Sequence, residues 1–491
     1  MIAFHFRAAA DIGTGHARRC AALAHALAEA NSGIMLIADP ATIAFARPFM
    51  PDSCRFIEVD GSTESILNPV RCERLSCLVL DRYDLSQDVE SMLAPHVGTV
   101  AIIDDFAGRS HACDILIDQN IGRRVADWTK ALPAEALLLT GSAFALLRPE
   151  FAGIRSRKNH DVAARSQAGR VFVCFGGADP LGLTDWLMPA MTQLVWAGYE
   201  IVIVVGDDTK HLDRIEAFSK ESRAVALHIA PNDVAALMTE ASIAIGAPGS
   251  MTLERACAGL PQVLVSFADN QIEVGELAEA MGVARYLGDW QAVQPEDAGA
   301  VALDLLTAPA AAATMSARAR QLVDGRGARR VAATLLPETD RNGGAVRLRP
   351  MRESDSDIVF QWQNSEGMRR FSNNPGKIAQ VDHDAWVENR LANAPLETYI
   401  AYNSAQKPLG LLHLKQHEKK GWWVSLLVAP ETQGNGTGRA MLRQVGRIYC
   451  DEPLFAEIRP ENTASIQAFE STGFIDAGDA FVRTPATEFM N

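Results

Sequence analysis

The sequence predicts an α/β protein with two similar parallel-sheet lobes and a third, smaller α/β domain. Short, continuous apolar runs alternate with helix-length segments, which is typical of strands buried on both faces of a parallel sheet. A polar, pattern-free stretch divides these runs into two halves, and a second polar stretch with paired glycines precedes a segment of different character. A chain of 491 residues is also long enough for roughly three domains.

Charge and composition exclude several classes of protein. The formal net charge of −14 argues against a general nucleic-acid binder, because such a protein needs a basic surface. The first residues lack a signal-like apolar core, and no run of about 18 apolar residues could cross a membrane. The eight cysteines form no Cys-x-x-Cys pair, so neither a zinc site nor a disulfide framework is indicated. We therefore expect a cytoplasmic protein that binds no nucleic acid and has no membrane span.

The candidate reactive group of the first lobe is His16. The apolar run 2–6 is predicted to be a strand, and the alanine- and leucine-rich run 17–29 a helix. Between them, Gly13 and Gly15 allow the backbone to approach a bound group closely. His16 then falls in the first turn of the helix, where the dipole favours an uncharged imidazole that can accept a proton from water. A tight turn with a histidine at the helix start is the alternative interpretation.

Polar residues follow the later strands of this lobe. The predicted strands are 33–38, 77–81, 99–104 and 114–118. Because ligands collect beyond the carboxyl ends of strands in open α/β sheets, we expect the segments 81–83, 104–105 and 119–120 to face one crevice. Each carboxylate could instead cap a helix or a turn. Tyr83 is harder to explain in that way, since it is one of only six tyrosines and directly follows a strand end.

The second lobe is predicted to follow a polar connection at 155–169. Its predicted strands are 171–175, 200–205, 224–229, 241–245 and 262–267. Gly176 and Gly177 end the first of these strands, and paired glycines again permit close backbone approach to a ligand. An ordinary turn between strand and helix is the alternative for this segment.

Two further turns of the second lobe have features of a nucleotide site. Gly249 and Ser250 precede a helix predicted for 253–258, and N–H groups at a helix start can bind a diphosphate. Glu254 is placed to accept hydrogen bonds from a ribose diol. The segment 268–271 follows the last predicted strand and would reach into the cleft. Capped turns are the alternative for each of them.

As a set, seven segments of the two lobes carry a resemblance to a known family. They are Asp11-Ile-Gly-Thr-Gly-His16, 81–83, 146–150, 175–180, 232–238, 249–254 and 268–271. The set resembles the UDP-2,4-diacetamido-2,4,6-trideoxy-β-L-altropyranose hydrolases of pseudaminic acid biosynthesis. These are relatives of the MurG-type glycosyltransferases and share the GT-B fold of two Rossmann-like lobes.

This resemblance implies a site for a UDP-sugar and roles for its residues. His16 would activate water, with Tyr83 and Asn270 in the sugar site. From the sequence itself, Gly13, Gly15, Gly176 and Gly177 are candidates for contact with the UDP-sugar. The resemblance places Gly249, Ser250 and Met251 on the diphosphate and Glu254 on the ribose. No cluster of carboxylates has metal-ligand spacing, so we expect a mechanism without a metal.

The third domain is predicted to follow a flexible linker at 337–345. Its predicted strands are 398–402, 408–414 and 421–428. The last strand leads into Gln433-Gly-Asn-Gly-Thr-Gly438, and a helix is predicted from Ala440. Successive backbone N–H groups at such a helix start suit a pyrophosphate.

This strand, loop and helix resemble the acetyl-CoA site of the GNAT N-acetyltransferases. The resemblance implies acetyl-CoA as co-substrate, bound by Leu427, Val428, Gln433, Gly434, Asn435, Gly436, Thr437, Gly438 and Asn462. Many members carry a tyrosine that protonates the leaving thiolate, but this chain has Phe469 there. The general acid is therefore open, with solvent or Ser425 as alternatives. The segments 360–364 and 368–372 are similar to UDP-4-amino-sugar N-acetyltransferases, although ribosomal-protein acetyltransferases look similar at this level.

Together these observations predict a bifunctional enzyme acting on a small nucleotide-sugar. The predicted divisions are an N-terminal lobe at 1–154, a UDP-binding lobe at 155–336, the linker at 337–345 and a GNAT domain at 346–491. The GNAT domain would acetylate a UDP-4-amino-sugar, and the two lobes would then hydrolyse off UDP. The alternatives are a glycosyltransferase with an acceptor hydroxyl in place of water, an acetyltransferase for protein or small amines, and a nucleotide sensor without catalysis.

Overall fold

The computed structural model describes residues 1–8, 14–128, 131–154, 169–177, 179–371, 376–393, 396–418 and 421–485. Gly13 and nearly all of the predicted connection at 155–169 lie outside the described residues. The chain divides into two compact units, Met1–Ala328 and Arg329–Asn491.

The first lobe of the N-terminal unit is a parallel sheet with helices between its strands. Its strands are β1 Ile2–Phe6, β2 Ile34–Ala38, β3 Arg55–Glu58, β4 Cys77–Asp81, β5 Val100–Ile103, β6 Ile115–Asp118 and β7 Leu137–Thr140. Its helices are α1 Gly15–Glu29, α2 Pro40–Ala46, α3 Thr63–Cys72, α4 Gln87–Leu93 and α5 Pro149–Ile154. Within the described part, the strand order is β3-β2-β1-β4-β5-β6-β7, which places the reversal of direction between β1 and β4.

The second lobe repeats this plan. Its strands are β8 Arg170–Cys174, β9 Glu200–Val205, β10 Val225–Ile229, β11 Ile243–Gly246, β12 Gln262–Ser266 and β13 Arg285–Asp289. Its helices are α6 Leu183–Trp186, α7 Met188–Trp196, α8 Leu212–Glu221, α9 Val234–Glu240, α10 Ser250–Cys257, α11 Asp269–Ala280, α12 Pro295–Thr307 and α13 Pro309–Leu322. The strand order β10-β9-β8-β11-β12-β13, again parallel, confirms the predicted pair of Rossmann-like lobes.

Several boundaries differ from the sequence-based expectation. The strands β3, β7 and β13 were not predicted, because a strand at the edge of a sheet is covered less and needs no continuous apolar run. The helix expected at 253–258 begins instead at Ser250. The segment expected to reach into the cleft after β12 belongs mostly to helix α11, whose first residue is Asp269, and β12 is followed by β13.

The C-terminal unit is a mostly antiparallel sheet flanked by helices. Its strands are β14 Glu338–Thr339, β15 Ala345–Pro350, β16 Thr398–Tyr402, β17 Pro408–Gln416, β18 Trp422–Val428, β19 Leu454–Ala456, β20 Ile475–Asp476 and β21 Phe481–Arg483. The helices are α14 Gly327–Leu335, in which the boundary between the units falls, then α15 Ser356–Gln363, α16 Glu366–Arg369, α17 Gln380–Asn393, α18 Thr437–Ile448 and α19 Thr463–Glu470. The strand order is β14-β15-β16-β17-β18-β19-β21-β20.

The stretch 337–345, expected to be a flexible linker, instead begins this sheet. Strands β14 and β15 pair in antiparallel fashion, with Glu338 opposite Val346 and Thr339 opposite Ala345. The glycines that suggested flexibility serve a tight turn, in which Gly343 adopts a positive φ of 80°.

Length and apolar character decide whether a helix of the described part could cross a membrane. No single helix is long and apolar enough to cross a membrane; only the pair formed by Pro295–Thr307 and Pro309–Leu335, which is bent by 95°, meets both conditions.

A buried histidine should make the stability of the N-terminal unit depend on pH. His111 Nδ1 lies 2.9 Å from Glu90 Oε1, and its Nε2 lies 3.0 Å from Asp104 Oδ2. Burial alone would lower the pKa of His111, but the hydrogen bonds to Asp104 and Glu90 outweigh it and raise this pKa to about 9.

We expect the free energy of unfolding to fall as pH rises from 6.5 through about 9, because the folded chain must then release a proton that the unfolded chain has already lost. Thermal unfolding between pH 6 and 10 measures this effect. His111→Asn should remove that part of the slope, whereas His96→Asn, at an exposed position, should keep it. Equal slopes in the two variants would contradict the assignment.

Candidate active site

The ring of His16 is held on one side by a buried carboxylate. His16 lies in the first turn of α1, and its Nδ1 is 2.7 Å from Oδ1 of Asp81, the last residue of β4. The His16 side chain is 16% exposed, and among the described residues its Nε2 has no hydrogen-bond partner. One fixed ring nitrogen and one free ring nitrogen are the arrangement of a general base oriented by a carboxylate.

Arg19 joins the carboxylate of Asp81 to that of Asp105. Its Nε is 2.7 Å from Asp81 Oδ2, and its Nη1 is 2.6 Å from Asp105 Oδ2. Burial alone would raise the pKa of Asp81, but Arg19 and His16 outweigh it and hold this pKa well below its usual range. The pKa of Asp105 is also lowered, against burial, chiefly by Arg19. Both carboxylates are therefore ionised at neutral pH.

Tyr83 and Asn120 complete this cluster. The Tyr83 hydroxyl donates to Asp105, and its ring meets the His16 ring edge-on at a centroid distance of 4.9 Å. Burial raises the pKa of Tyr83 far above its usual value, so the phenol stays protonated. Asn120 Nδ2 donates to the other oxygen of Asp105 at 3.2 Å. The predicted convergence of polar strand ends is thus observed in the first lobe.

The sequence reasoning missed Arg19, although a signal was present. A residue three positions after His16 lies on the same face of a helix, so it can reach the same strand end. Arginine at that spacing has a planar guanidinium with several N–H donors, so it can pair with two carboxylates at once.

In the second lobe, the expected diphosphate segment forms the start of helix α10. Gly249 precedes the helix with φ 154° and ψ −158°, a conformation that favours glycine, and a Cβ there would meet nothing within 4 Å. The N–H groups of Ser250 and Met251 belong to the first turn, where helix geometry provides no internal partner. The N–H of Gly249 itself is already used, because it donates to Thr252 Oγ1 at 3.1 Å.

The carboxylate of Glu254, expected to bind a ribose, already forms an ion pair with Arg148. It is 7% exposed, and its two oxygens accept from Arg148 Nε at 3.1 Å and Nη2 at 3.3 Å. Arg148 also lies 2.9 Å from Glu150 Oε1. Each carboxylate oxygen has a second lone pair, so Glu254 can still accept from a hydroxyl group. The segment 146–150 therefore contributes an ion pair to the expected nucleotide region.

The glycine turns of the two lobes come together. Gly176 has a positive φ of 115°, and a Cβ added at Gly177 would lie 3.3 Å from Thr14 Cγ2. A Cβ at Gly15 would meet nothing within 4 Å, which leaves space beside the first turn of α1. The predicted turn at Gly176 and Gly177 thus lies beside Thr14, the residue that precedes the helix of His16.

Asn270 lies apart from the His16 cluster in its contacts. It is the second residue of helix α11, is exposed, and forms no hydrogen bond with His16 or Tyr83 in the described part of the chain. Helix α11 is nevertheless joined to the first lobe, because Arg123 makes two hydrogen bonds to Glu273, at 2.6 and 3.0 Å. This ion pair fixes the helix that carries Asn270 to the lobe that carries His16.

The C-terminal unit has a glycine loop between β18 and α18. Gly434 and Gly436 have positive φ values of 79° and 87°, and helix α18 starts at Thr437. A Cβ at Gly434 would meet nothing within 4 Å, so the loop leaves room for a phosphate group to approach. Gln433 donates from its side chain to Val428 O at 3.3 Å and ties the loop back to the strand.

Strand β18 has a free edge beside this loop. It pairs with β19 only through Trp422 and Trp423, so among the described residues the later part of that edge, including Leu427 and Val428, has no neighbouring strand. An unpaired strand edge offers backbone groups to an extended, amide-containing ligand arm. The loop thus offers space for a phosphate group, and the edge beside it offers backbone groups to an extended arm of the same ligand.

Two other expected residues of this site are engaged locally. Asn462 precedes helix α19, and its Oδ1 accepts from the N–H of Ser465 at 3.2 Å. Its side-chain NH2 group has no partner among the described residues. Phe469 is 3% exposed and packs edge-on against Phe474 at 4.9 Å, so it supplies no acidic proton. Ser425, the alternative acid, is exposed on β18.

The Arg19 ion pairs should contribute strongly to stability. We expect Arg19→Leu to lower the free energy of unfolding by about 3–5 kcal/mol, because it leaves the carboxylates of Asp81 and Asp105 without their cation. Arg55→Leu, which breaks the exposed pair with Glu73, should cost less than about 1 kcal/mol. Urea denaturation of the full chain compares the two. Similar losses in both variants would contradict the importance of the buried pair.

Comparison with known proteins gives separate matches to the two parts of the chain. Residues 345–475 match the family model of the acetyltransferase (GNAT) domain, which confirms the nature of the predicted third domain. The UDP-2,4-diacetamido-2,4,6-trideoxy-β-L-altropyranose hydrolase of Campylobacter jejuni is 23% identical over 256 residues, covering 52% of this chain and 86% of that protein.

Two further proteins are similar at lower coverage or by structure. The spore coat polysaccharide biosynthesis protein SpsG of Bacillus subtilis is 25% identical over 196 residues, which span 40% of this chain and 57% of that protein. The solved structure of WaaG, a glycosyltransferase involved in lipopolysaccharide biosynthesis, has 13% identity and a TM-score of 0.41 over 68% of this chain and 99% of that chain. The chain therefore combines two Rossmann-like lobes, similar in sequence to a UDP-sugar hydrolase, with a C-terminal GNAT domain.

Proposed function

We propose that this chain catalyses two consecutive steps on one nucleotide-sugar, in the cytoplasm, as in pseudaminic acid biosynthesis. The GNAT domain acetylates the 4-amine of a UDP-linked 4-amino-4,6-dideoxy sugar with acetyl-CoA. The two lobes then hydrolyse the UDP-2,4-diacetamido-2,4,6-trideoxy hexose to the free sugar and UDP. The observation that carries the proposal is the His16–Asp81 pair, supported by the similarity to a UDP-sugar hydrolase and by the GNAT match.

In the hydrolytic step, His16 acts as the general base. Its free Nε2 accepts a proton from water while the water oxygen forms a bond to the anomeric carbon. The bond between that carbon and the diphosphate oxygen breaks, and its electron pair leaves with UDP. Asp81 holds the ring through Nδ1 and stabilises the imidazolium that forms, as the carboxylate of a catalytic triad does.

The leaving group is stabilised from the second lobe. The first-turn N–H groups of α10, at Ser250 and Met251, are aimed at the diphosphate, and each such donor is worth about 3 kcal/mol in the transition state. Glu254, already fixed by Arg148, accepts from the ribose. Tyr83 and Asn270 contact the sugar from opposite lobes. These steps use only groups of the chain itself.

In the acetyl-transfer step, the loop 433–438 holds the pyrophosphate of acetyl-CoA, and the free edge of β18 holds the pantetheine arm. The bound co-substrate supplies an acetyl thioester. Since Phe469 has no proton to give, the thiolate is protonated by solvent or by Ser425. The nitrogen of the sugar 4-amine forms a bond to the thioester carbonyl carbon and loses a proton to solvent, while the carbon–sulfur bond breaks. The product of this domain is therefore the substrate of the lobes.

Loss of His16 should slow hydrolysis strongly without affecting acetylation. We expect His16→Asn to slow UDP release from a UDP-diacetamido sugar by roughly a hundred- to ten-thousand-fold, the contribution of a positioned general base. The rate is measured by NMR in water with no acceptor alcohol. His25→Asn is the matched control, since His25 lies on the same helix and bonds to Phe49 O.

Isotope labelling separates hydrolysis from glycosyl transfer in the same assay. In ¹⁸O-water the label should enter the sugar at its anomeric carbon and not the UDP. UDP release that requires an acceptor alcohol, or that continues at full rate in His16→Asn, would contradict the proposed hydrolase.

The order of the two steps can be tested with a variant of the glycine loop. Gly436→Glu should abolish acetyl transfer, because it strains a position with φ 87° and adds a negative charge where a pyrophosphate binds. The same variant should hydrolyse a UDP-sugar supplied already acetylated at the wild-type rate. With acetyl-CoA and the 4-amino sugar, His16→Asn should instead accumulate the acetylated UDP-sugar. Rapid UDP release from the unacetylated sugar would contradict the order.

A further inference from the structure

The turn of the β14–β15 hairpin lies directly against the glycine loop of the GNAT domain. Backbone hydrogen bonds close this turn, since Asp340 N–H donates to Gly344 O at 2.9 Å and Gly344 N–H donates to Asp340 Oδ1 at 2.7 Å. The next residue, Arg341, donates from its backbone N–H to Asn435 O at 2.7 Å. The hairpin is therefore attached to the loop expected to bind a pyrophosphate.

A second attachment fixes the other end of the hairpin to helix α18. The carboxylate of Glu338, in β14, lies 3.4 Å from Arg443 and 2.5 Å from Arg447, both on that helix. Helix α18 is the one that begins with the glycine loop. Because both ends are attached, the backbone of Arg341 holds a fixed position relative to the loop.

Among the described residues, no acidic side chain balances the charge of the Arg341 guanidinium. Its Nη1 donates to Gly434 O at 3.1 Å, and its Cγ would lie 3.1 Å from a Cβ added at Gly436. No carboxylate lies within ion-pair distance of it in the described part of the chain. Arginine has five N–H donors, so several remain for a phosphate beside Gly434 and Gly436.

We propose that Arg341 binds a phosphate group of coenzyme A and so completes the acetyl-CoA site from outside the matched domain, which starts at residue 345. This assignment rests on the proposed acetyl transfer. The hairpin brings a preorganised cation to the loop 433–438, whose own residues carry no charged side chain. Both the pyrophosphate and the 3′-phosphate of coenzyme A accept hydrogen bonds from a guanidinium. Dephospho-coenzyme A, which lacks the 3′-phosphate, distinguishes between the two.

The test measures the dissociation constants of coenzyme A and dephospho-coenzyme A for the full chain by isothermal titration calorimetry. We expect Arg341→Ala to weaken coenzyme A binding about tenfold, the effect of losing one charged hydrogen bond. Arg341→Lys should keep most of the affinity. A loss confined to coenzyme A assigns Arg341 to the 3′-phosphate, and an equal loss for both ligands assigns it to the pyrophosphate.

Three further variants separate phosphate binding from support of the loop. Arg341→Gln can still donate to the carbonyl of Gly434 but has no charge, so we expect it to bind as weakly as Arg341→Ala. Asn342→Ala, in the same turn, and Lys415→Ala, which removes an exposed charge from β17, should bind as the wild type does.

Wild-type affinity for coenzyme A in Arg341→Gln would overturn the assignment of Arg341, and so would equal affinities in Arg341→Ala and these two controls. Either result would leave the proposed acetyl transfer standing. Failure of the wild-type chain to bind coenzyme A would overturn the proposed acetyl transfer as well.

Discussion

The buried ion pairs of Arg19 with Asp81 and Asp105 are the interaction on which the first lobe and its candidate site depend. Each carboxylate follows or ends a strand of the central sheet, where burial alone would raise its pKa and Arg19 is the group that lowers it most. Arg19 supplies it from the first helix. The same contact therefore fixes the helix against the sheet and keeps Asp81 charged beside His16.

This arrangement links stability to the proposed chemistry. A buried carboxylate interacts more strongly with an imidazole than one that is surrounded by water. Its burial is stabilised by a nearby opposite charge, which here is Arg19. Tyr83 and Asn120 share the remaining acceptor sites of Asp105, so the polar groups of the cluster satisfy one another. The free ring nitrogen of His16 is the group left for a ligand.

Glycine has a comparable role in both units. Gly249 starts a helix in one unit and Gly436 starts one in the other, and each has a backbone conformation that favours glycine. In both cases helix geometry leaves the N–H groups of the first turn without an internal partner, an arrangement that suits an anion. The hairpin at 338–346 adds a cation to the second of these sites, where the first has the Arg148–Glu254 pair nearby.

Sequence alone determined the class of fold, the two lobes and the third domain, because buried parallel strands require continuous apolar runs and glycine loops have a fixed spacing. It also singled out His16 and the segment 433–438 as candidate site residues. Tertiary structure decided which charges meet, since the partners of His16, Glu254 and Gly434 are distant in sequence and carry no periodic signal. It also turned the expected linker into a strand pair, because β15 pairs with the distant strand β16 and the turn of the hairpin donates to Asn435 O.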